Sequence, residues 1–217
     1  MIGESIFPLE RAFGLAFDVE RDSERRSGFK PAEIQLGPQM PLPMYGELRL
    51  HGFAATIMGG FCEHITIVGK DEKRINDCVV YQGNAICEML VRDLGVPREQ
   101  VSWNTSDSNT GHTLEVIRKM VYEDREAGKH RRCAIITSHY HRDRSEESAL
   151  CSGWSPVFLS AESFILAACA SEVERSTKRN WIEEELRRYD YVARAIAEIN
   201  GISDMRRGVY QPQTRGW

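Results

Sequence analysis

The sequence predicts an α/β protein built on a doubly wound, mainly parallel sheet of about five strands. Three observations carry that prediction. Short apolar or β-branched runs alternate with longer segments of helical periodicity. Gly95, Gly128 and Gly153 each stand where a helical segment should stop. Polar residues follow several of the strand runs directly, and ligands bind at such strand ends in an open parallel sheet. Parallel strands need crossover helices, and right-handed crossovers put helices on both faces, which makes the architecture Rossmann-like.

Residues 1–31 read as an N-terminal extension with no assigned chemistry, with room for a short helix or strand over 5–17 and a solvated charge run over 20–30. Residues 32–170 read as the Rossmann-like domain, and 171–217 as a C-terminal helix and tail packed on it. Within the domain, 32–36 is a strand closed by Gly37-Pro38, and Pro41-Leu42-Pro43 reads as a loop. Residues 45–60 make a helix through Leu48, Leu50, Phe53, Ile57 and Met58. Residues 64–68 alternate like a strand and turn at Gly69-Lys70-Asp71. A helix over 74–94 stops at Gly95. Residues 100–103 form a strand, and Asn109 or Thr110 caps a helix buried through Leu114, Ile117 and Val121. The strand at 133–137 is central, because it ends in the densest polar cluster of the chain. A helix over 144–151, a strand over 156–159 and an apolar segment over 164–170 follow. The strongest periodicity predicts one long helix over 181–199, ended by Gly201.

The totals exclude several classes. A net charge of −4 argues against a nucleic-acid binder. No run of some 18 apolar residues exists, so no membrane-spanning helix is expected. The six cysteines show no CxxC pairing and read as reduced thiols of a cytoplasmic protein.

If the strands are parallel, one rim collects Gly37, Gly69, Lys70, Asn109, Thr110 and the cluster at 137–144. Helix N-termini at Asn109-Thr110 and Ser138 suit an anion, with Lys70, Arg142 and Arg144 adding charge and Asn109-Thr110 as the cluster's expected partner. His141 is the candidate for proton transfer. Ser138 lacks the G-x-S-x-G context of a nucleophile elbow, and no G-x-G-x-x-G follows a strand. His139-x-His141 has no third or fourth partner at a recognisable spacing, so no metal is expected.

Three segments also carry a resemblance. Gly95-Val96-Pro97, Ser108-Asn109-Thr110 and Thr137-Ser138-His139-Tyr140-His141-Arg142-Asp143-Arg144 resemble, in order and spacing, the bacterial domain-of-unknown-function family that contains SanA, ElyC and YdcF. The likeness spans roughly residues 32–160 and is most specific at 137–144. It implies a Rossmann-like domain with a ligand pocket at the strand ends, links to cell-envelope processes, and S-adenosylmethionine as a candidate ligand from the YdcF-like branch. Lacking an apolar span, the chain is more similar to that soluble branch. Carried across, the implied pocket residues are Arg49, Gly69, Asn109, Thr110, Thr137, Ser138, His141 and Arg144. The chain departs from the family pattern at Asn104, Asp107, His112 and Thr113, which implies a pocket poorer in carboxylates and more basic.

The leading expectation is a protein that binds a nucleotide-type or other anionic small molecule. The alternatives are an enzyme acting on a phosphorylated metabolite or envelope precursor through His141, and a non-catalytic interaction protein whose C-terminal helix docks a partner or a second copy as a homodimer.

Overall fold

The computed structural model describes residues 8–32, 34–36, 41–43, 45–70, 73–75, 78–106, 109–129, 132–187 and 191–207. Five parallel strands form the main sheet: β1 (Arg11–Leu15), β2 (Ile65–Lys70), β3 (Val101–Ser106), β4 (Cys133–Thr137) and β5 (Phe158–Ser160). Their spatial order is β5-β4-β1-β2-β3, parallel at every step. The crossovers are α1 (Gly46–Met58), α2 (Gln82–Glu88, continued by a π turn over Met89–Asp93), α3 (Thr110–Glu126) and α4 (His139–Cys151). Then come α5 (Ala161–Ala167), α6 (Glu172–Arg187) and α7 (Tyr191–Arg206). The expected α/β, Rossmann-like class is the observed one.

The strand alternation decides which helix lies on which face. In β1, Phe13 and Leu15 pack with Leu114, Ile117 and Val121 of α3 and Ala149 of α4. Ala12 points the other way, into a core with Leu50, Phe53 and Ile57 of α1, Ile86 of α2 and Phe164 of α5. The residues on that second face of β1 are small. A Cβ on Gly14 would lie 2.7 Å from Ile67 Cδ1 and 2.9 Å from Phe53 Cζ, so α1 rests almost on the backbone. α1 and α4 thus cover opposite faces although β1 and β4 are neighbours. Their boundary is the topological switch point, where such sheets bind ligands.

Several expectations change. Arg11–Leu15, within the expected extension, is the central strand, and Cys133–Thr137, expected in that place, lies next to it. Its apolar residues are split between the two faces by an arginine and a glycine, so no continuous run betrays it. Residues 34–36 lie outside the main sheet and pair antiparallel with 41–43, the Pro-Leu-Pro stretch expected to be a loop. Residues 73–75 and 78–80 form a hairpin ahead of α2, where a helix was expected. β3 runs on to Ser106, because Asn104 and Ser106 continue the ladder with β2 while their side chains meet Met120 and Thr113 of α3. α4 begins at His139. The expected long helix is two, α6 and α7. Gly201 lies inside α7, where a Cβ would come within 3.0 Å of Arg144 Nε, so it serves close approach and not termination. Gly95, Gly128 and Gly153 do end their helices, each with positive φ. No described helix is long and apolar enough to cross a membrane.

Candidate functional site at the switch point

Tight packing of α1 on α5 brings opposite charges together. A Cβ on Gly52 would fall 2.3 Å from Ala161 Cβ and 2.8 Å from its carbonyl oxygen, so only glycine allows this approach. One turn before Gly52 stands Arg49; directly after Ala161 stands Glu162. Arg49 is 3% exposed. Its Nη1 donates to the Ala16 carbonyl oxygen at the end of β1 (3.2 Å), and Nη2 reaches Tyr140 Oη of α4 at 3.5 Å, the long limit of a hydrogen bond. Its guanidinium also lies 5.3 Å from the centre of the Phe17 ring. Arg49 therefore spans the switch point from β1 to the first turn of α4.

Glu162 closes the other side. Both its carboxylate oxygens accept from the backbone N–H of His139, the first residue of α4, at 3.0 and 3.2 Å. Burial raises the Glu162 pKa above the ordinary carboxylate value, partly offset by hydrogen bonds and by the His139 and Arg49 charges. Next to His139 in the chain stand Thr137, the last residue of β4, and Ser138, the N-cap of α4. Both are 0% exposed. Their hydroxyl oxygens have no hydrogen-bond partner, and Ser138 does not cap its own helix. A buried hydroxyl left unpaired costs about 1–3 kcal/mol, and two adjacent ones at a helix N-terminus mark a place built to hydrogen-bond something else.

The backbone around the site is itself unusual. Tyr45, the N-cap of α1, has φ of 46°, a left-handed conformation that a non-glycine residue adopts at a cost of about 1–2 kcal/mol. Its ring meets Tyr140 edge-on at 5.2 Å, and its hydroxyl donates to the Leu186 carbonyl oxygen of α6. Such strain concentrates at functional sites.

The other residues marked in the sequence are distributed elsewhere. His141 and Arg144 lie on the face of α4 that meets α7, not at the rim. His141 Nδ1 is 3.3 Å from Glu198 Oε2 of α7, and Arg144 Nη1 is 3.6 Å from the same oxygen, with Glu198 buried. Asn109 accepts from His112 N at 2.9 Å, an N-cap on α3. Asn109 and Thr110 open α3 beyond the end of β3, which β1 and β2 separate from β4 in the sheet. Gly69 packs on Ala16, where a Cβ would meet its Cβ at 2.3 Å. Lys70 is exposed at the end of β2, its backbone N–H donating to Gln82 Oε1. Gln82 in turn donates to Asp18 Oδ1 at 3.1 Å, which ties α2 to the ends of β1 and β2. Gly37 lies outside the described residues, as do Asp71, Asp107 and Ser108.

Glu162, Gln82 and Asp18 carry this geometry and were absent from the expected site, and Tyr140 lay in the expected 137–144 cluster without a role of its own. The signal for Glu162 was available: it follows the fifth strand, whose end must share the rim with the other four. Among the described residues, no group of three or more His, Cys, Asp or Glu side chains is gathered for a metal ion.

A cavity of about 340 Å³ opens at the opposite end of β1 and β4, among Phe13, Val121, Tyr122, Trp154, Pro156 and Val157. Arg125 and Arg132 also border it. It contains no acid–base pair, and the unsatisfied hydroxyls stand at the other end of the strands.

In the comparisons with known proteins, the chain matches no family model, no curated protein and no solved structure.

Two predictions arise here. Burial raises the Cys62 thiol to about 11 and the Cys87 thiol to about 12, whereas Cys151 is exposed. An aromatic disulfide reagent added to native protein should therefore modify Cys151 promptly and reach Cys62 and Cys87 only at the rate of unfolding. Prompt labelling of either buried thiol, located by peptide mapping, would contradict this packing. The second concerns Glu162. Its raised pKa means that the folded state keeps the proton to higher pH than the unfolded state, so stability falls as pH rises from the unfolded value through the folded one. Glu162→Gln should thus raise the urea midpoint at pH about 8, and the gain should vanish near pH about 4. A gain independent of pH would refute the assignment.

Proposed function

We propose that the chain binds a nucleotide-type or other anionic small molecule at the carboxyl ends of its strands, centred on the β1–β4 switch point. The observation that carries the reading is the pair of buried, unpartnered hydroxyls of Thr137 and Ser138 at the start of α4, a helix whose first turn the buried Arg49 guanidinium reaches at Tyr140. A helix N-terminus with an adjacent arginine favours negative charge. The resemblance to the SanA, ElyC and YdcF family makes S-adenosylmethionine one candidate, and a cytoplasmic site of action fits cysteines that are free thiols.

Calorimetric titration with adenine nucleotides, nucleotide sugars and S-adenosylmethionine tests this. One of these classes should bind wild-type protein and bind Arg49→Met at least tenfold more weakly. Absence of binding by every class, or equal binding by the variant, refutes it.

The enzyme reading is favoured by one specific observation, the half-buried carboxyl of Glu162 with its elevated pKa within the field of Arg49. In that reading we assign the proton to Glu162 in place of His141, which lies with Glu198 on the face of α4 that meets α7. Glu162→Gln should then abolish turnover of a phosphorylated substrate while His141→Gln retains it.

A further inference from the structure

Resting on that reading, we infer that Glu162 makes the switch-point site selective for a phosphoryl group that still carries a proton. The selectivity follows from hydrogen-bond roles. Arg49 and Ser138 can both donate to an anionic oxygen, and the α4 N-terminus adds the positive end of a helix dipole. Glu162 is the opposite. Ionised, it only accepts, and the backbone N–H groups of His139 and of Glu162 itself leave part of its acceptor capacity unused. A fully deprotonated tetrahedral anion placed among these groups would meet the Glu162 charge with nothing to donate to it. An anion bearing one O–H can donate that proton to Glu162 and rest its charge on Arg49.

This separates two ligands of nearly equal size and shape. Phosphate monoesters have a second pKa of about 6 and inorganic phosphate a somewhat higher one, so both carry a proton at modest cost near neutrality. Sulfate carries none. Like-charge contact in a desolvated site disfavours the wrong partner strongly. The charged groups facing Glu162 are Arg49 from α1 and His139 from α4, both of which favour its ionised form. The discrimination therefore requires Glu162 to be ionised and fades on acidification. The fade begins above the ordinary carboxylate range, because burial holds the Glu162 pKa high.

The test uses the full chain and three probes: inorganic phosphate, phenyl phosphate and sulfate, titrated calorimetrically at pH about 7. Wild-type protein should bind phosphate at least tenfold tighter than sulfate. Phenyl phosphate binding as tightly as phosphate identifies a monoester as the ligand source, and markedly weaker binding identifies the free anion; either supports the selectivity. In Glu162→Gln, whose amide can donate to either anion, the ratio should fall to within about threefold. Repeating the wild-type titrations at pH about 5 should narrow the ratio without any substitution, which covers a variant that fails to fold. Equal affinities for phosphate and sulfate in the wild type, or a ratio that survives in Glu162→Gln, overturn the selectivity while leaving anion binding intact. Failure of all three probes to bind overturns both this inference and the proposed anion site.

Discussion

Gly52→Ala should destabilise the fold by about 3 kcal/mol, at the upper end of the cost of overpacking a core. The added methyl would stand 2.3 Å from Ala161 Cβ, 2.7 Å from Ala161 Cα and 2.8 Å from Ala161 O. Two of those atoms are backbone, so no side-chain rotation relieves the clash, and α1 and α5 must move apart. Gly14→Ala is the natural control. Its methyl would meet Ile67 Cδ1 and the Phe53 ring edge, the far ends of side chains that can shift. Urea denaturation should rank Gly52→Ala as the more damaging of the two. Equal or reversed costs would mean that the α1–α5 contact is less rigid than its geometry. The effect should also reach the site, because this contact is what sets Arg49 beside Glu162.

The architecture was legible where burial writes a pattern into sequence. The β4 strand at Cys133–Thr137 is fully apolar up to its last residue, and Gly95, Gly128 and Gly153 end their helices through a backbone conformation that few other residues adopt. The central strand β1 was not legible, because the needs of two different faces compete within five residues. Arg11 pairs with Asp124 and Thr66 on one face, while the other face requires Ala12 and Gly14 to admit α1. The site was half legible. Thr137 and Ser138 stand where the strand end put them, and Arg49 joins them. Sequence spacing could not tell that helical geometry turns His141 and Arg144, three residues apart, toward α7. Nor could it foresee that Glu162 reaches back to His139 from an element twenty-three residues on.

The same division of α4 into two faces makes a second large effect separable from the first. Glu198 is buried and serves His141 and Arg144 with one oxygen. Glu198→Ala strands two donors that the α4–α7 contact encloses. Removing one member of a buried ion pair costs about 3–5 kcal/mol, and the partial exposure of Arg144 brings the expectation to the lower end, about 3 kcal/mol. The loss should be local before it is global. Hydrogen exchange should show the α7 amides losing protection while those of β1 and β4 keep theirs. Glu198→Gln, which retains a hydrogen-bond acceptor, should cost less than the alanine variant. Phosphate affinity should stay within about threefold of wild type in Glu198→Gln, because Arg49, Ser138 and Glu162 sit on the other side of the α4 N-terminus. Parallel loss of α7 protection and phosphate binding would return His141 and Arg144 to the ligand site. Loss of protection alone makes their role in the motif the fastening of the C-terminal helix to the switch-point helix.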